Sequence, residues 1–202
     1  MKRILLAAVA FLLQACVSVL PEAAPPSARY QVTDVAVDSA APGPVSWTLA
    51  IEEPDATLAF NTAKIAISRE PARIEYYANG QWVDRAPRLF GAALLRSFEN
   101  TGVIRGVGNR VSLPVSTFVL QTDIRKLTIA KADGADIAQV AVFARLTNGR
   151  SAIYASRLFS ASEPLAQDNG GAAATALNLG LQKVQREIVE WTIAEAETAG
   201  RR

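Results

Sequence analysis

Residues 137–162 read "IAQVAVFARLTNGRSAIYASRLFSAS". Ala138, Val140, Val142, Ala144 and Leu146 recur at every second position, the period of a strand with one buried face. Asn148-Gly149 then separates this run from a second one, and the pair suits a type I′ turn, whose two central residues take positive φ. The stretch predicts a β-hairpin.

Working outward, residues 115–130 put Phe118, Leu120, Thr122 and Ile124 on one side of a preceding strand. Downstream, Ala173, Leu177, Leu181, Val184, Ile188 and Trp191 recur at intervals of three and four, which predicts a long amphipathic helix with Trp191 in its core stripe. Gln182, Arg186, Glu190 and Glu197 fall on its other face. Upstream, Pro87 opens a helix over 88–100 with Phe90, Leu94 and Phe98 on one face and Gly102 placed to end it. Extended segments are expected at 30–37, 47–51, 64–68 and 73–78, the last reaching a turn at Asn79-Gly80. Strands, a helix, more antiparallel strands and a long helix make an α+β two-layer sandwich, with two helices on one face of a mixed or antiparallel sheet.

The N-terminus reads differently. Lys2 and Arg3 precede ten residues, 4–13, without a polar side chain. That run has signal-peptide length, short of the roughly 20 apolar residues a membrane-spanning helix takes. It ends at Leu13-Gln14-Ala15-Cys16, where Cys16 is the only cysteine of the 202-residue chain. This is the pattern of a lipobox, with cleavage between Ala15 and Cys16 and a covalent lipid on the new N-terminal cysteine. The other reading of Cys16 is a buried thiol; a disulfide within one chain has no second cysteine. Residues 17–29, "VSVLPEAAPPSAR", are a proline-rich stretch that suits an extended tether. The expected organisation is a cleaved signal peptide at 1–15, a lipidated tether at 16–29 and one domain at 30–202.

Two of the 21 basic residues lie in the leader, leaving 19 against 19 acidic ones. A mature net charge near zero removes the electrostatic motive for a nucleic-acid partner. The chain has no histidine, so triads that use one are excluded and zinc sites lose a main ligand. Gly102, Gly106 and Gly108 lack the Gly-Lys-Ser/Thr ending of a phosphate loop and read as turn glycines. Glu52, Glu53 and Asp55, with Pro54 among them, read as a solvated loop. No catalytic residue, metal or cofactor is assigned. Tyr76, Tyr77, Trp82 and Arg85 are the candidate partner-binding residues, since aromatic and arginine side chains make good interface anchors. The other reading has the two tyrosines alternating between sheet faces and Trp82 capping the core edge.

Taken together, "LLQAC" with its proline-rich tether, "RIEYYANGQWVDRAPRLFGAALLRSFENTG", the 137–162 hairpin and "VQREIVEWTIA" resemble, in the same order, the ABC-type transport auxiliary lipoprotein family (PqiC-like proteins). The resemblance implies a non-enzymatic, lipid-anchored component facing the periplasm and working with an MCE-domain protein, an ABC permease and an ATPase. The cargo it implies is phospholipid or another hydrophobic lipid. Val17, which is not aspartate, favours the outer membrane over the inner. Further copies of the chain are a second partner to consider. The competing readings are a free-standing envelope lipoprotein that binds a small ligand or a cell-envelope component, and a carboxylate hydrolase.

Overall fold

The computed structural model describes residues 27–38, 43–148, 150 and 152–201. Cys16, Ala15, the signal segment and most of the tether lie outside the described residues, as does Gly149. Strands β1 (Arg29–Tyr30), β2 (Val45–Ile51), β3 (Asp55–Ala56), β4 (Lys64–Ser68) and β5 (Glu75–Trp82) precede helix α1 (Ala86–Asn100). Then come β6 (Ile104–Asn109), β7 (Phe118–Ala132), β8 (Ala135–Thr147), β9 (Ile153–Pro164) and helix α2 (Gly170–Gly200). The α+β class and the mixed sheet are as expected.

The sheet is organised around β7. One of its edges pairs antiparallel with β8 along nearly its whole length, and β8 pairs with β9. Its other edge takes β2, β3 and β4 in succession, all parallel to it. Beyond them lie β6 on β2, and β5 with β1 on β4. The alternation read at 137–147 is the pleat of β8: Ala138, Val140, Val142, Ala144 and Leu146 are all buried. They meet Leu177, Leu181, Val184 and Ile188 of α2 in one core, which Phe90, Leu94 and Phe98 of α1 complete. Pro87 lies in the first turn of α1, and Gly102, at φ 64°, follows its last turn. Asn169 caps α2, its side chain accepting the Ala172 N–H at 2.9 Å.

Several expectations are corrected. Residues 31–38 make no ladder: only Arg29–Tyr30 pairs, with Gln81 and Trp82 of β5. The segment instead forms a strap over the two helices. The Thr33 N–H donates to Asn178 Oδ1 at 3.0 Å, Gln185 Nε2 donates to Thr33 O at 3.2 Å, and the Val35 N–H donates to Ser97 Oγ at 3.0 Å. Val32, Val35 and Val37 are buried beside these bonds, so helix side chains do what a neighbouring strand would have done.

Asn79-Gly80 is not a turn either, because β5 runs through it to Trp82. β5 carries extra residues between its pairings Ala66↔Tyr76 and Lys64↔Gln81, a bulge. The backbone there lies against the start of α2, and a Cβ on Gly170 would collide with the Asn79 carbonyl. The two-residue turn with positive φ at both centres is Asp133-Gly134, at 50° and 81°, closed by the pair Ala132↔Ala135. The β8–β9 connection is longer than two residues, since Thr147 pairs with Ile153 and the Asn148 N–H donates to Ala152 O.

Gly106 and Gly108 lie within β6 and are not turn glycines. The acidic stretch at 52–55 is tied down: Glu52 faces Arg110 at 3.6 Å and accepts from Gln121 at 3.0 Å, while Pro54 is buried against α1 at Gly91. Trp191 is half-buried at the core edge, edge-to-face with Phe159 at 5.5 Å.

Candidate partner-docking surface

Tyr76 and Tyr77 are neighbours on β5, so the pleat sends them to opposite faces. The Tyr76 hydroxyl donates to Ala59 O at 3.3 Å, and the Lys64 ammonium sits 5.3 Å from its ring centroid. Arg85, in the turn that leads into α1, donates to Asn61 Oδ1 at 2.9 Å and to Glu53 Oε1 at 3.0 Å. Tyr76 and Arg85 thus both hold the segment 57–63, from which Leu58 projects 87% exposed. Trp82 is only 1% exposed, buried in the core below. It offers a partner no surface.

Tyr77 belongs to a different group. Its hydroxyl donates to Asp168 Oδ1 at 2.7 Å, and Arg69 reaches the same oxygen at 2.6 Å. Arg69 also binds Asp136 through Nε at 3.1 Å, and Lys131 lies 3.4 Å from that carboxylate. Burial, then the hydrogen bond to Asp168, pushes the Tyr77 phenol above its ordinary value. The Tyr77 and Arg69 hydrogen bonds hold the Asp168 carboxyl below its own. This network joins β4, β5, the β7–β8 turn and the lead into α2, which makes it a structural staple. Arg69 was not singled out from the sequence, because its two carboxylate partners lie 67 and 99 residues away.

A second surface lies along β9. Among the described residues β9 pairs with β8 alone, leaving the backbone groups of its outer edge open to another strand. Ile153, Tyr154 and Leu158 are exposed on it, and only Phe159 of the strand is buried. Adjacent apolar residues at 158 and 159 were the available signal, since a strand cannot send both to one face. Among the described residues no cluster of three or more acidic or other metal-ligating side chains converges.

A family model for the ABC-type transport auxiliary lipoprotein component matches residues 30–189. An uncharacterized protein of Bradyrhizobium diazoefficiens is 29% identical over 152 residues, 74% of this chain but 40% of that protein, so the chain spans less than half of it. Among solved structures, protein XCC0632 of Xanthomonas campestris shares the fold with a TM-score of 0.79 at 24% identity, over 87% of this chain and 100% of that one. The hypothetical protein CT253 of Chlamydia trachomatis does so with a TM-score of 0.52 at 12% identity, over 75% and 98%. The family match takes in every strand after the first residue of β1, the whole of α1 and most of α2, and this chain belongs to the family of ABC-type transport auxiliary lipoprotein components.

Proposed function

We propose that the protein is a lipid-anchored, non-enzymatic accessory component of an ABC/MCE-type transporter that moves phospholipid or another hydrophobic lipid across a Gram-negative envelope. The observation that carries this reading is the family match, which begins at Tyr30 where the proline-rich stretch after Cys16 ends. Its action is positional. Acyl chains on Cys16 hold the protein at the periplasmic face of the outer membrane; one chain binds marginally, but several hold stably. The tether sets the domain off the membrane, and the surface around Leu58, Tyr76 and Arg85 docks the MCE-domain protein.

Affinity purification from the native envelope tests the assignment. Recovery of an MCE-domain protein with its permease and ATPase is the expected outcome, with recovery reduced by Leu58→Asp and Arg85→Glu. A chain that purifies alone with a bound small molecule would overturn it in favour of a free-standing binding lipoprotein. Cys16→Ala is expected to abolish palmitate labelling and membrane retention, and unchanged labelling would refute the anchor.

A further inference from the structure

Both helices cover one face of the sheet, and the other face carries a cleft of about 490 Å³ over β4, β7 and β8. Its apolar part is formed by Phe60, Ala130 and Ile74, the last 39% exposed. Four cationic side chains line it, Arg69, Arg125, Lys126 and Lys131, against one carboxylate, Glu70.

The cations differ in how far they are satisfied. Arg69 and Lys131 share Asp136, and Arg69 also holds Asp168. Arg125 pairs with Asp123 at 2.8 Å. Glu70 is held by Arg73 at 3.2 Å, outside the cleft. The Lys126 ammonium donates only to the amide oxygen of Gln139, at 3.4 Å, with no carboxylate partner among the described residues. A cleft of this volume, with both apolar and cationic residues in its lining, matches a ligand whose anionic group adjoins a hydrocarbon segment. The volume suits a headgroup and the first carbons of its chains.

We propose that this cleft binds the headgroup of an anionic phospholipid, with the phosphate at Lys126 and the upper acyl carbons on Phe60 and Ile74. The proposal deepens the accessory-component reading by giving the domain its own contact with lipid. Because binding is measured without the transporter, loss of lipid binding and loss of MCE co-purification are separate results.

The full acylated chain in neutral detergent micelles is titrated with phosphatidylglycerol, phosphatidylcholine or inorganic phosphate, and bound ligand is read by native mass spectrometry. Saturable one-to-one binding of phosphatidylglycerol is expected, with weaker binding of phosphatidylcholine and none of inorganic phosphate at equal concentration. Lys126→Glu is expected to weaken binding about tenfold, the scale of one charge-assisted hydrogen bond. Ile74→Asp, on an exposed side chain, is expected to weaken it while circular dichroism stays native. Equal binding of phosphatidylcholine, equal binding of inorganic phosphate, or unchanged affinity in a folded Lys126→Glu protein would each overturn the proposal.

Discussion

Asp168 precedes the cap of α2 and accepts hydrogen bonds from both Tyr77 and Arg69, which hold its carboxyl below the ordinary 3.8. Asp34 of the strap is lowered in the same direction, first by its hydrogen bond from Arg96. A carboxyl lowered on folding contributes stability that is present above its unfolded pKa and lost as pH falls through the folded one. The Tyr77 phenol, raised above its ordinary 10.0, contributes stability that is complete below that value and lost as pH rises past it. Urea midpoints are therefore expected to fall on the acid side below about pH 4 and on the alkaline side above about pH 10. Asp168→Asn should flatten the first limb and Tyr77→Phe the second. Gly170 supplies a second test at this scale, one of sign. Alanine is favoured over glycine inside a helix by about 1 kcal/mol, but here its Cβ would run into the Asn79 carbonyl. Overpacking typically costs about 1–3 kcal/mol, so Gly170→Ala is expected to lower the urea midpoint where helix propensity alone would raise it. Neither the staple nor this contact was legible in the sequence, because each joins residues far apart in the chain. The exposed tyrosine and the buried Trp82 were partly legible, since strand alternation fixes faces but leaves open which partner each face meets.

The elements themselves were read more completely, and the misses share a cause. Periodicity reports that a segment is extended and which side is buried, and it leaves open what lies beside the backbone. The strap at 31–38 has the pattern of a strand, yet Ser97 and Gln185 of the helices satisfy its polar groups. Ser97 accepts from the Val35 N–H, and its one hydroxyl hydrogen has two acceptors within reach inside the core, Ala93 O at 2.9 Å and Gln185 Oε1 at 3.0 Å. Ser97→Ala leaves a buried donor unpaired, so a loss of about 1–3 kcal/mol is expected. Hydrogen exchange at Val35 should accelerate more than exchange at Val140 in the centre of β8. Equal effects at the two sites would mean that the strap does not depend on this contact. Turn chemistry was misplaced for a related reason: Asn-Gly and Asp-Gly signal the same backbone, and four such pairs occur, one of them, Asn169-Gly170, opening α2. Only Asp133-Gly134 joins strands in a register that a two-residue turn can close. Gly134→Ala, forced to φ near 81°, is expected to cost about 1 kcal/mol, measurable as a lower thermal midpoint.

At the scale of the molecule, α2 decides whether the fold unfolds in one step. Its 31 residues touch α1 and the strands β4, β5, β7, β8 and β9, so few elements can leave while it stays. The three tryptophans report from separate places: Trp47 edge-to-face with Phe118 near one end of the sheet, Trp82 at the end of β5, and Trp191 on α2 against Phe159. A chain with one shared core is expected to lose their fluorescence signals and its helical circular dichroism at the same urea concentration. Leu181, fully buried between helix and sheet, tests the coupling. Leu181→Ala removes buried hydrocarbon and leaves a cavity, a change that costs about 2–5 kcal/mol in comparable cores. Both signals should then move together to lower urea. A helical transition that shifts while the fluorescence of the sheet stays in place would show that α2 docks onto an already folded sheet. In that case the cooperative unit would be β7, β8 and β9 with their own neighbours, and the strap would lose its bonds to Asn178 and Gln185 of α2 while keeping those to Ser97, Arg96 and Asn100 of α1.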